Sequence, residues 1–74
     1  MRLWINIFDD DNGITSEVHT SAANSEESAV EYVSVLWADY GKGVRPPDWR
    51  DAQRICNDNG CRDSVHVDIH EVVA

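Results

Sequence analysis

The sequence predicts a small α+β domain. It should hold a three-stranded, mostly antiparallel sheet with two helices on one face, in the order β-β-α-α-β. Three observations carry this expectation. Apolar residues alternate near both ends of the chain, the period expected of strands. Between them lie two stretches whose apolar residues recur at helical spacing. An Asn12-Gly13 pair follows the first alternating run, the strongest short signal for a hairpin. At 74 residues the chain suffices for one domain, 1–74, and its 42% apolar content allows a core.

The first strand follows from residues 2–8, where Leu3, Ile5 and Ile7 alternate with Trp4, Asn6 and Phe8. Asn12-Gly13, taken as a two-residue type I′ loop, sets Ile7 opposite Val18, Ile5 opposite Thr20 and Asp9 opposite Ser16. Asn6–His19 and Phe8–Glu17 then pair on the other side. The first helix is expected to begin at Asn24, with Glu27 completing a capping-box-like pair. Its core stripe would be Ala29, Val30, Val33, Leu36, Trp37 and Tyr40, with Gly41 ending it. Residues 41–47 hold two glycines and two prolines and read as a connector. Asp48 caps a second helix that turns Trp49, Ala52, Ile55 and Cys56 inward and stops at Asn59-Gly60. Residues 64–73 form the last strand, Val65, Val67 and Ile69 alternating with His66, Asp68 and His70. The first strand, apolar on both faces, should be central. The direction of the last strand stays open.

Charge narrows the function classes. Fourteen acids against six bases leave a net charge of −8. Such a surface repels nucleic acid and anionic lipid and favours basic partners. Residues 1–41 carry eight acids and one base, and residues 42–74 carry six acids and five bases. The excess negative charge therefore lies in the first half. No apolar run reaches the roughly 20 residues of a membrane-spanning helix. The short apolar start runs straight into Asp9-Asp10-Asp11, unlike a signal peptide, so a cytoplasmic chain is expected.

Motifs for bound chemistry fail on spacing. An EF-hand loop anchored on Gly13 would put Phe8 first and His19 twelfth, where carboxylates belong. His66, Asp68 and His70 share a strand face, with His19 as a further candidate. Neighbours two apart lie roughly 6.5–7 Å from each other, and no fourth ligand completes a zinc set. No cofactor or metal is expected. Gly41-Lys42-Gly43 lacks the Walker spacing. Cys56 and Cys61 are too far apart in sequence for a Cys-x-x-Cys motif. With Gly60 left-handed, Cys61 would meet Cys56 as the capping contact of a Schellman motif. The pair is then either a disulfide stapling the helix end to the last strand or two small buried thiols. An enzyme is the least expected class, because the chain offers little volume for a pocket holding a nucleophile or acid–base pair.

The acidic surface remains as the candidate site. Glu27, Glu31, Val35 and Asp39 form a row opposite the core stripe of the first helix. Tyr32 and Val35 are expected off the core, as apolar anchors in an acidic frame. Asp9, Asp10 and Asp11 sit at the hairpin tip and Glu17 on the second strand. Rigidly spaced carboxylates can imitate a phosphate backbone to a basic groove.

In length, charge and lack of catalytic motifs the chain resembles the small acidic proteins of phages and mobile elements, anti-CRISPR proteins among them. That resemblance implies a compact inhibitor occupying a nucleic-acid-binding surface of a bacterial complex, with no binding residue carried over. Arg45, Arg50, Arg54 and Arg62 depart from a uniformly acidic mimic. The alternatives are an assembly module or homodimer using Tyr32, Val35 and an exposed sheet face, and a metal-binding module.

Overall fold

In the computed structural model, which describes residues 1–73, the elements run β1 (Arg2–Asp10), β2 (Gly13–His19), α1 (Ala22–Tyr40), α2 (Trp49–Asp58) and β3 (Ser64–Glu71). The sheet order is β2-β1-β3, with both neighbours antiparallel to β1. The most apolar strand is thus central, and the last strand's direction is settled. Both helices lie on one face, giving a slab with Cα extents of 45 × 27 × 15 Å.

The hairpin register differs from the expected one by two residues. Ile5 pairs with Val18, Ile7 with Ser16, Phe8 with Thr15 and Asp9 with Ile14. The loop residues are Asp11 and Asn12, closed by the Asp10–Gly13 pair. A type I′ turn needs positive φ at both central residues. Among the described residues no non-glycine has positive φ, and Gly13 alone takes it at the turn, at φ 108°. The Asp10 carboxylate accepts the Asn12 amide at 2.9 Å and fixes the turn from within. A shift of two keeps every side chain on its expected face.

Helix α1 begins earlier than Asn24. The Ser21 hydroxyl accepts the Asn24 amide at 3.3 Å from an extended backbone, so Ser21 is the cap. Ala22 and Ala23, strong helix formers, fill the first turn. Glu27 then lies in the second turn, too far along to complete a capping box.

The core forms between β1, β3, α1 and α2: Phe8, Ala29, Val33, Trp49, Ala52 and Val65 are buried together. At its centre the Asn6 side chain is wholly buried. Its amide donates to the Ser25 carbonyl at 3.0 Å and its oxygen accepts the Ser25 hydroxyl at 2.5 Å. The β1 face carrying Trp4, Asn6 and Phe8 therefore meets the helices, and the Leu3, Ile5 and Ile7 face is left uncovered. Gln53 ties α2 to β3, accepting from the Val65 amide at 2.7 Å and donating to its carbonyl at 3.0 Å.

At the end of α2 the Cys61 amide donates to the Cys56 carbonyl and the Gly60 amide to the Asn57 carbonyl, at 3.1 and 3.2 Å. With Gly60 at φ 100°, these are the two bonds of a Schellman motif. Cys56 and Cys61 are both buried, cluster with Leu36, and are free thiols. Burial, and secondarily the neighbouring Cys61, hold the Cys56 thiol above its ordinary value. Among the described residues, no helix is long and apolar enough to cross a membrane.

Candidate partner-binding groove

The register sets Glu17 opposite Asn6, on the helix side of the edge strand β2. Helix α1 crosses above it and leaves a shallow groove of about 320 Å³ between the two. Phe8, Tyr32 and Val35 supply its apolar lining, and Glu17, Glu31 and Ser28 its polar lining. The fold thus gathers four of the nine residues expected at the site: Glu17, Glu31, Tyr32 and Val35. Phe8 and Ser28 join them without a sequence signal. Phe8 reads there as a strand residue like its neighbours, and Ser28 as one serine of several.

Glu17 is held in place. Its Oε1 accepts the Ser28 hydroxyl at 2.6 Å and lies 3.1 Å from His19 Nε2. The Ser28 hydrogen bond, aided by His19 and opposed by partial desolvation, keeps its carboxyl below the ordinary value. Glu31 is exposed and forms no salt bridge among the described residues. The groove lining contains no Lys or Arg.

Tyr32 lies closer to the core than its sequence position suggests. It continues the buried stripe of Ser25, Ala29, Val33 and Leu36, three residues beyond Ala29 and four before Leu36. Its ring is half-buried against both core clusters, with its centroid 4.9 Å from that of Phe8 at 52°. The hydroxyl is buried and has no hydrogen-bond partner among the described residues. Desolvation, then the fields of Asp63 and Asp10, push its pKa to about 12. Val35 is 66% exposed, as an apolar anchor requires.

The remaining acids fall into a second group and two outliers. Asp9, Asp10 and Asp11 stand at the hairpin tip. Because Asp9 pairs with Ser64, the tip lies beside Asp63, which the sequence did not point to. The Asp63 carboxyl is raised, by desolvation first and then by Asp11, Asp10 and Asp9. The tip adjoins the groove along β1, where Asp9 and Asp10 follow the groove residue Phe8. Glu27 and Asp39 are exposed on α1 but do not line the groove.

Three arginines of the second half lie away from the groove and are engaged locally, whereas Arg62 precedes Asp63 beside the tip. Arg54 lies 3.4 Å from Asp51, Arg50 lies 3.9 Å from Asp48 and stacks on Trp49, and Arg45 donates to Ser34. The Glu26 carboxylate accepts the Trp49 indole N–H at 3.1 Å. The charge asymmetry of the sequence is thus spatial at the groove, whose lining holds Glu17 and Glu31 and no Lys or Arg. The β2 side is acidic and the α2 side is mixed.

His66 lies 2.7 Å from Asp68 on the uncovered sheet face. His19 lies on the helix side of the opposite edge strand, so it does not join them. No group of three described His, Cys, Asp or Glu side chains is placed to hold a metal ion.

The chain matches no protein-family model, and neither curated proteins nor solved structures give a match.

Proposed function

We propose that the chain is a protein-binding inhibitor that seats a cationic side chain of its partner in the groove between α1 and β2. The observation that carries this reading is the joint presence of one fixed carboxylate, Glu17, a second exposed one, Glu31, and an apolar lining in one concavity. An arginine or lysine entering it lays its aliphatic stem on Phe8, Tyr32 and Val35 and places its charged head between Glu17 and Glu31. Glu17 is already oriented by Ser28, so it loses little freedom on binding. The aspartates of the tip extend the negative field beyond the groove. They speed encounter with a basic surface and make it sensitive to salt.

The natural target of such a site is a surface whose own ligand is a polyanion. The protein would then act by occlusion, competing with nucleic acid for the same arginines and lysines. The resemblance to small phage-encoded inhibitors directs this reading to a bacterial nucleoprotein complex. The test is competition. An arginine-rich, nucleic-acid-binding peptide is loaded with a labelled oligonucleotide and titrated with this protein. Displacement is expected, and Glu17→Lys with Glu31→Lys should weaken it at least tenfold. Equal displacement by the wild type and the double variant would show that the groove is not used.

A further inference from the structure

The uncovered face of the sheet points to a second binding surface, distinct from the groove and opposite to it in chemistry. It is built from Leu3, Ile5 and Ile7 of β1, flanked by Ile14 and Val18 of β2. Ile5 pairs directly with Val18, and Asp9 with Ile14. Ile14 and Val18 are 71% and 61% exposed, and no helix lies on this side. On β3 the face carries His66, Asp68 and His70, opposite Ile7, Ile5 and Leu3. Leu3, Ile5 and Ile7 are half-buried and the β2 residues beside them exposed, so the face keeps apolar surface that a partner can cover.

We propose that this face binds its counterpart on a second copy of the chain, forming a symmetric sandwich of two sheets. Charge selects the occupant. Of the fourteen acids in the chain, strand alternation puts only Asp9 and Asp68 on this face, and His66 engages Asp68. A basic partner would find little to bind here, whereas two copies at −8 each can meet only where their acids are absent. An apolar centre is also self-complementary, as a two-fold interface requires. Extent agrees. With nine residues along β1 and three strands across, the face projects to roughly 30 × 14 Å at about 3.3 Å per residue and about 4.8 Å per strand. Side-chain relief adds to that projection, which is the extent of a small, weakly associating interface beside the ~800 Å² per partner of a standard one. Two such faces pack with their strands within about 30° of each other. The edge strands and the groove stay free, so the dimer presents two acidic grooves.

Sedimentation equilibrium of the whole chain, from micromolar to millimolar, tests this together with methyl contacts from isotope-filtered NMR. A dimer is expected, with contacts from Leu3, Ile5 and Val18 of one copy to the same face of the other. Added salt should tighten it, because screening removes repulsion between like charges. Salt has the reverse sign on the groove, which keeps failure of one reading distinguishable from failure of the other. Ile14→Glu with Val18→Glu, both exposed in the monomer, should raise the dissociation constant at least tenfold. Val44→Glu, exposed in the connector between the helices, should leave it unchanged. A monomer at millimolar concentration would overturn the proposal. So would a dimer indifferent to the β2 variants, or contacts running strand to strand along the β2 edge.

Discussion

The two faces of β1 are nearly equal in apolar content and opposite in use. One carries Leu3, Ile5 and Ile7, the cleaner hydrophobic row, and it stays open. The other carries Trp4, Asn6 and Phe8, and the helices pack on it around a wholly buried asparagine. Burial is thus decided by fit to the covering element more than by the hydrophobicity of the row. Asn6 and Ser25 satisfy each other between β1 and α1. A paired polar contact fixes how helix and strand meet, and it is costly to break by halves. The open row carries no such constraint, and that leaves it free for association.

The sharpest way to break this comparison is Asn6→Ala. It strands the Ser25 hydroxyl in the core, removes a second donor from the Ser25 carbonyl and opens a cavity, and should cost about 2–4 kcal/mol in urea unfolding. A loss no larger than that of an open-face variant would remove the distinction. Tyr32→Phe tests the covered face from the other direction. Deleting a buried hydroxyl that has no partner among the described residues should stabilise the fold by about 1 kcal/mol. The same burial sets a pH signature. In Tyr40→Phe the single remaining phenol should ionise at about 12, followed by its absorbance. The sign follows from a folded value raised above the ordinary 10.0. Stability is intact below 10 and declines as pH rises from there toward about 12, because the unfolded phenol ionises first.

On the open face, Val18→Ser should change monomer stability by no more than about 0.5 kcal/mol at micromolar concentration, since Val18 packs on little there. The smallest effect concerns Glu17. Its folded value lies below the ordinary 4.5, so its contribution is present above 4.5 and lost as pH falls through the folded value. Ser28→Ala should move the Glu17 carboxyl back up, read from its side-chain carbonyl resonance. An unmoved titration would show that the serine does not hold it.

Much of the fold was legible in the residues, and the reasons are local. Alternation gave the strands, β1's apolar character on both sides gave it the centre, and Gly60 gave the Schellman end of α2 that brings Cys61 to Cys56. The hairpin register was not legible, because Asn-Gly favours a two-residue turn while the chain uses glycine alone at positive φ. Which face of β1 is covered was hidden too, since Asn6 looks like a surface residue until Ser25 meets it. At the candidate site, Glu17, Glu31 and Val35 were visible as exposed acids and an apolar neighbour. Tyr32 was placed too far out, because its stripe begins at the polar Ser25 and so escapes a count of apolar residues. Asp63 reaches the tip only through the β1–β3 pairing, a contact spanning most of the chain.

The central claim is that the acids of the β2 side act as a defined receptor. The most direct measurement is a ¹⁵N NMR titration with an arginine-rich peptide at low and high salt. The account predicts shifts concentrated at Phe8, Glu17, Ser28, Glu31, Tyr32 and Val35, fading as salt rises. Shifts spread evenly over every exposed carboxylate, α2 included, would contradict it and leave the negative charge as a means of solubility alone.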